Sequence, residues 1–340
     1  MKTAKLANIA DIQTGPFGSQ LHKEDYVDAG TPIVTVEHLG RRKLSNKNVP
    51  FVSESDAHRL SKYSLEQGDI VFSRVGSVDR CSQVSENEAG WLFSGRCLRV
   101  RPNDSMIDPD YLYYFLTLPK TQEFIRAIAV GATMPSINTS LLGEVDIDLP
   151  PLSEQVGIAK GLGALDDKIA ANSRIIKIAT HLNINLVEKA VTKELEHLQN
   201  LADITMGSSP KGEFLNEEGI GEPFFQGVRD FGELFPSERV FAEKAVRTAQ
   251  EGDILFAVRA PIGEVNIAER PCVIGRGIAA IRGKQSHLGL FYLLKGHPEL
   301  WETYKSSGTV FAGINKSDLH NAVIPVPVSY THLRAHETDS

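Results

Sequence analysis

The stretch from Pro150-Pro151 to about Glu196 constrains everything else in the chain, because sequence of one kind precedes it and recurs after it. Two prolines fix φ and cannot continue a strand ladder, so Pro150-Pro151 followed by Ser153, Glu154 and Gln155 predicts a helix start. The acidic Glu154 suits the positive first turn. From there Ile158, Leu162, Leu165, Ile169, Asn172, Ile176, Ala179, Asn183, Leu186 and Ala190 step by alternating fours and threes, the period of a helix packed along another helix. Asn172 and Asn183 are polar insertions of the kind that fix register at some cost in stability. A helix of about 40 residues is roughly 60 Å long. That exceeds the core of one compact domain, so a spacer is expected; the other reading, a buried core helix, conflicts with the length of the pattern. Lys168, Arg174, Lys177, Glu188 and Lys189 at outer positions exclude a membrane span.

With 340 residues and 41% hydrophobic content, the chain has room for two domains with real cores and a connector. Its three cysteines show no CxxC spacing, so neither a zinc site nor a disulfide framework is indicated, and a reducing cytoplasm is the expected setting. No secretory signal or apolar run of membrane length is present. A net charge of −7 counts against an isolated, non-specific DNA binder, which carries excess Lys and Arg.

The two flanks repeat. Ile9-Ala10-Asp11-Ile12 returns as Leu201-Ala202-Asp203-Ile204, 192 positions later (203 − 11). Thr31-Pro32-Ile33-Val34 matches Glu222-Pro223-Phe224-Phe225, and Gly68-Asp69-Ile70-Val71-Phe72 matches Gly252-Asp253-Ile254-Leu255-Phe256, a turn leading into a strand. Arg74 pairs with Arg259 if one gap is allowed, and Gly95-Arg96 with Gly275-Arg276. Pro119 matches Pro298 after Tyr113 and Tyr292, in segments that read as helical. Gly131 and Ile137-Asn138 match Gly308 and Ile314-Asn315, and Pro150 matches Pro327. The order of signals is kept while the second half is shorter in its loops. The expected fold is therefore α/β (α+β), with two tandem domains joined by a long coiled-coil-like spacer helix: residues 1–150, a helix over 151–196, and residues 197–327. A single large α/β domain would require all these matches to be coincidences.

After Pro327 the repeat stops. A second spacer helix is expected by analogy, yet residues 328–340 carry no heptad pattern and resemble translated adapter sequence, so they read as a non-native or truncated tail. His332 and His336, four apart, could share a helix face as metal ligands, but this context gives that reading little weight.

These residues resemble the specificity subunit of type I restriction–modification systems. The resemblance rests on Ala10-Asp11-Ile12, Gly15-Pro16-Phe17-Gly18-Ser19, the two Gly-Asp-Ile runs, Gly131 to Asn138, and above all Ile147-Asp148-Leu149-Pro150-Pro151-Leu152-Ser153-Glu154-Gln155 followed by a long helix. It implies a non-catalytic, DNA-binding subunit whose two target-recognition domains are held apart by two long antiparallel helices. Each domain reads one half of a split target in double-stranded DNA, and the helices set the unread gap. They also dock two methyltransferase subunits, which methylate adenine, and restriction (motor) subunits join for cleavage.

Motifs for chemistry are missing. Gly207-Ser208-Ser209-Pro210-Lys211-Gly212 lacks the Gly-Lys-Ser/Thr ending of a phosphate loop, and Gly161-Leu162-Gly163 and Gly275-Arg276-Gly277 lack the third glycine of a dinucleotide fingerprint. The Asn-Pro-Pro-aromatic motif of adenine methyltransferases does not occur, and Asp166-Asp167-Lys168, a conceivable half of a nuclease motif, lies on the spacer helix as solvated charge. Ser19 and Ser209 have no local partner that suggests a nucleophile. No cofactor or metal is implied.

Recognition remains. Arg suits guanine O6 and N7, whereas Gln and Asn suit adenine N6 and N7. The candidates in the first half are Ser19, Gln20, Lys23, Arg41, Arg42, Lys43, Arg74, Arg80 and Arg96; in the second they are Lys211, Gln226, Arg229, Arg259 and Arg276. For each, a solvated surface charge is the competing reading. Residues shared by both halves suit scaffold or phosphate roles, and unshared ones suit base choice. Other classes fit parts of the pattern: a protein–protein scaffold with duplicated binding domains, a single-chain enzyme acting on DNA, or a truncated, inactive specificity subunit.

Overall fold

The structure is a computed structural model that describes residues 2–305 and 313–326, with the side chains of Ser19, Lys23 and Lys305 left out. Gly308, Pro327, His332, His336 and the tail 328–340 lie outside the described residues. The chain divides into two units, residues 1–169 and 170–340.

Each unit is built on a four-stranded antiparallel sheet. In the first, the spatial order is Ala10–Thr14, Cys97–Pro102, Ile70–Ser73, Cys81–Gln83. The second repeats it with Ala202–Met206, Ile278–Gly283, Ile254–Ala257, Val265–Ile267. A smaller sheet accompanies each, and in both it contains one parallel pair: Thr31–Val34 with Leu92–Phe93, and Glu222–Phe225 with Cys272–Ile274. The apolar runs after the Gly-Asp dipeptides are central strands, and alternation along them divides the core. Ile70 and Phe72 enter one cluster with Leu112 and Leu142, while Val71 faces the cluster of Ile33 and Phe93. Ile254 and Phe256 likewise separate from Leu255. Side chains alternate across a strand, so one run serves two cores.

The Gly-Asp dipeptide explains itself at atomic level. Gly68 and Gly252 take φ of 91° and 84°, a turn conformation that favours glycine. Asp69, buried, accepts from the Glu66 N–H at 2.8 Å and from Arg101 Nε and NH2 at 2.8 and 2.7 Å. Asp253 does the same with the Gln250 N–H at 2.7 Å and Arg282 Nε at 2.6 Å. The repeated Ile-Asn dipeptides are helix starts: Asn138 accepts from the Leu141 N–H and Asn315 from the Asp318 N–H, capping Thr139–Gly143 and Lys316–Asn321.

The long helix is one unbroken element, Leu152–Ala190, of 39 residues. It stops short of Glu196, because Leu195–His197 pairs as a strand with Val323–Pro325. Gln155 is 1% exposed; it accepts from the Asp108 N–H at 2.9 Å and donates to the Pro150 carbonyl at 2.8 Å, so it holds the helix start to the first unit. Ala159 joins that unit's core, and Val187 joins the core of the second. The heptad positions Ile158, Leu162, Leu165, Ile169, Ile176 and Leu186 are exposed, Leu165 at 60%. Asn172 is exposed too. A helix along this stripe was expected from the segment after Pro327, which lies outside the described residues. Among the described residues no helix is long and apolar enough to cross a membrane.

Removing the Asp69 carboxylate strands the Arg101 guanidinium and the Glu66 N–H. Asp69→Ala is expected to cost about 1.5–3 kcal/mol in urea unfolding, with Asp69→Asn losing less. Burial pushes the Cys81, Cys97 and Cys272 thiols up to about 12. A thiol reagent at pH 8 should therefore label none of the three until denaturant opens the units.

Candidate nucleic-acid interface

In the first unit, the strand ends opposite Asp69 gather three loops. Thr14 leads into Gly15-Pro16-Phe17, Ser73 leads into Arg74, and Gly95-Arg96 precedes Cys97. The Arg74 N–H donates to the Arg96 carbonyl at 2.8 Å, and its guanidinium donates to the Gly95 carbonyl at 3.2 Å. That guanidinium also lies over the Phe17 ring, 5.7 Å from its centroid, while Phe17 itself is 63% exposed. A cation on an exposed ring adds only about 0.5–1 kcal/mol. Phe17 and Arg96 share the rim of a cleft of about 910 Å³ with Pro16, His22, Glu37 and His38.

The corresponding edge of the second unit carries different groups. Ser209 Oγ donates to Gln226 Oε1 at 2.7 Å and accepts from the Arg276 N–H at 3.2 Å. Gln226 and Arg276 are exposed, as are Arg229, Arg259 and Lys211, the last 3.8 Å from Glu213. Strand pairing corrects two matches between the halves. Ser73 pairs with Cys97 and Ala257 with Ile278, and the Val258 N–H donates to the Gly277 carbonyl as the Arg74 N–H does to that of Arg96, so Arg96 corresponds to Gly277 and Arg276 to Gly95. The Ile137 N–H donates to the Arg74 carbonyl and the Ile314 N–H to the Val258 carbonyl, so Arg74 corresponds to buried Val258, not to Arg259. Arg74 and Arg259 are each particular to one unit.

Three predicted arginines go elsewhere. Arg42 adopts φ 62°, donates its backbone N–H to Tyr113 Oη at 2.6 Å, and sends NH1 to the Gly163 carbonyl and to Asp167, both at 3.3 Å. Arg41 reaches Asp166 at 3.3 Å, and Arg80 donates to the Leu39 carbonyl. Tyr114 donates to Asp166 at 2.9 Å; burial, helped by that carboxylate, pushes its phenol well up. Burial also pushes the Tyr113 phenol to about 12. Arg41 and Arg80 line a cleft of about 630 Å³ with Tyr113, Tyr114, Leu162, Leu165 and Ile169. These arginines face the long helix. Gln20 is partly committed too, accepting the Tyr63 hydroxyl at 2.6 Å, whereas Lys43 is exposed beside Arg42. The side chains of Ser19 and Lys23 lie outside the described residues.

The arrangement offers cationic and amide donors on strand-end loops, and among the described residues no cluster of His, Cys, Asp or Glu suits a metal. The chain matches the family of the type I restriction modification DNA specificity domain twice, over residues 1–180 and 191–332. It belongs to that family. This specificity subunit is 32% identical over 335 residues to the putative type I restriction enzyme MjaX specificity subunit of Methanocaldococcus jannaschii, covering 90% of this chain and 78% of that one. It is 24% identical over 263 residues to the EcoKI specificity subunit of Escherichia coli, covering 69% and 55%. The crystal structure of a type I restriction-modification system S subunit from M. genitalium shares its fold, with a TM-score of 0.60 at 18% identity over 98% of this chain and 86% of that one.

Phe17 and Ser209 were not among the expected contacts. They lie 192 positions apart, the same offset that separates Gly15 from Gly207, and that shared offset was the available signal (209 − 17; 207 − 15).

Arg42 separates backbone from side-chain effects. Arg42→Gly keeps the left-handed turn and loses the contacts to the helix, whereas Arg42→Ala loses both. In urea unfolding R42A is expected to be less stable than R42G by about 1 kcal/mol.

Proposed function

We propose that this specificity subunit reads a split DNA target, one half with each unit, and is itself without catalytic activity. The observation that carries this reading is the duplicated sheet with its open strand-end edge, which occurs in the chain once before and once after a single unbroken helix. At 1.5 Å per residue, 39 residues extend about 58 Å. One turn of duplex is about 34–36 Å, so such a rod suits two half-sites on successive major-groove faces. The exposed heptad stripe suits a helical partner along it and leaves room for methyltransferase subunits, two in number, with restriction subunits joining for cleavage. Methylation of adenine and cutting then belong to those partners, and no cofactor is assigned to this chain. The domain limits proposed for this role are residues 1–150 and 197–327.

The net charge of −7 fits a division of labour in which the methyltransferases neutralise most phosphates and this chain supplies base contacts. The salt slope of DNA affinity should then be much steeper for the assembled complex than for the subunit alone, and equal slopes would count against the division.

The direct test is long-read mapping of methyladenine in the host with the gene present and deleted. Loss of one split motif of fixed gap on deletion is the expected result. An unchanged methylation pattern in a strain expressing the methyltransferase would sink the reading in favour of a protein–protein scaffold.

A further inference from the structure

The two reading edges are built alike but equipped differently, and the second is preset. The Ser209 hydroxyl accepts from the Arg276 N–H and donates its own proton to the carbonyl oxygen Oε1 of Gln226. The amide is thereby turned with Nε2 away from Ser209. Gly275 completes the seat: a Cβ there would lie 2.3 Å from Gln226 Oε1, so a larger residue would displace the amide from this position. Strand pairing holds the backbone beneath it, with the Gly275 N–H donating to the Phe225 carbonyl at 2.9 Å and the Gly277 N–H to the Gln226 carbonyl at 3.1 Å. Gln226 is nevertheless exposed.

An exposed amide held in one orientation by a hydroxyl and a glycine seat has lost its rotamer freedom before any ligand arrives. Oε1 has one lone pair left and Nε2 has its donors, the pair that matches N6–H and N7 of adenine in the major groove. The first unit lacks this device. The position equivalent to Gln226 is Thr35, two residues after Ile33 as Gln226 is two after Phe224, and the Thr35 hydroxyl and N–H are both taken up by His38 Nδ1. Phe17 stands where Ser209 stands.

We propose that Gln226, oriented by Ser209, Gly275 and the Arg276 N–H, is the group by which the second unit selects an adenine in its half-site. This rests on the reading of the chain as a split-target specificity subunit. Ser209 and Gly275 are positioning residues that act through Gln226.

The test uses the chain assembled with its methyltransferase partner and a duplex carrying the mapped target. Each adenine of the half-site is replaced in turn by 7-deazaadenine, which lacks the N7 acceptor, and by guanine. For the native complex one adenine should stand out, its replacement by guanine weakening binding roughly 5- to 150-fold. Gln226→Ala should abolish that discrimination at this position alone, and Ser209→Ala and Gly275→Ala should reduce it while the first half-site is read unchanged. Gln226→Glu, nearly isosteric, should move the preference at that position from adenine toward cytosine, whose N4 amino group a carboxylate accepts. Native discrimination retained by Q226A and Q226E would overturn the assignment and leave the split-target reading intact. So would a uniform weakening across all bases with a shallower salt slope, the sign of a phosphate contact. Absence of any sequence preference in the native complex would overturn both.

Discussion

Two buried carboxylates hold the ends of the central strands in both units. Asp69 and Asp253 each close the turn before a central strand and receive an arginine, Arg101 or Arg282, from its antiparallel neighbour. This bond fixes the register of the two strands at one end. At the other end of the same strand pairs sit Arg74 and Arg96 in the first unit, and Val258 and Gly277 in the second, where Arg276 takes the place of Gly95. The carboxylates are buried while the arginines reach toward solvent, and a charge-assisted bond of this kind is stronger than a neutral one. The loops opposite it can then vary in side chains without the sheet losing its alignment.

The long helix is fixed by few groups, and they are of different kinds. At its start a buried glutamine, Gln155, satisfies the N-cap region of the Pro109–Leu116 helix and the Pro150 carbonyl at once. Arg42 and Arg41 add contacts to Gly163, Asp166 and Asp167, one turn after another along its surface. Near its end Val187 enters the second core, and Ile184 meets Gly296 so closely that a Cβ on that glycine would come within 2.5 Å. Between these anchors, among the described residues, the apolar stripe is exposed. Exposed apolar stripes of this length are sites of association.

Much of this was legible from residue order. Gly-Asp before an apolar run announced a turn and a strand in both halves, because Gly and Asp supply the bend and the β-branched and aromatic residues the strand; that the strand is central came from the sheet order. Pro150-Pro151 announced the helix start. Other features were hidden for a physical reason. The pairing of Asp69 with Arg101 spans 32 residues and that of Arg42 with Asp167 spans 125, and no local pattern encodes either. Arg42 therefore looked like a free basic residue beside a turn, and Arg259 looked like the partner of Arg74 until the strand register moved the match to Val258.

The sequence by itself determined that there are two units of one design and that a helix joins them, since repeats, helical periodicity and turn residues are local in the chain. Only the tertiary structure decided which polar side chains are available. Arg41 and Arg42 are drawn to the helix by carboxylates far away in sequence, Gln20 is held by Tyr63, and Gln226 is seated by Ser209 and Gly275. Whether a side chain is free to meet a base depends on which groups from distant segments have already satisfied it, and those are set by packing.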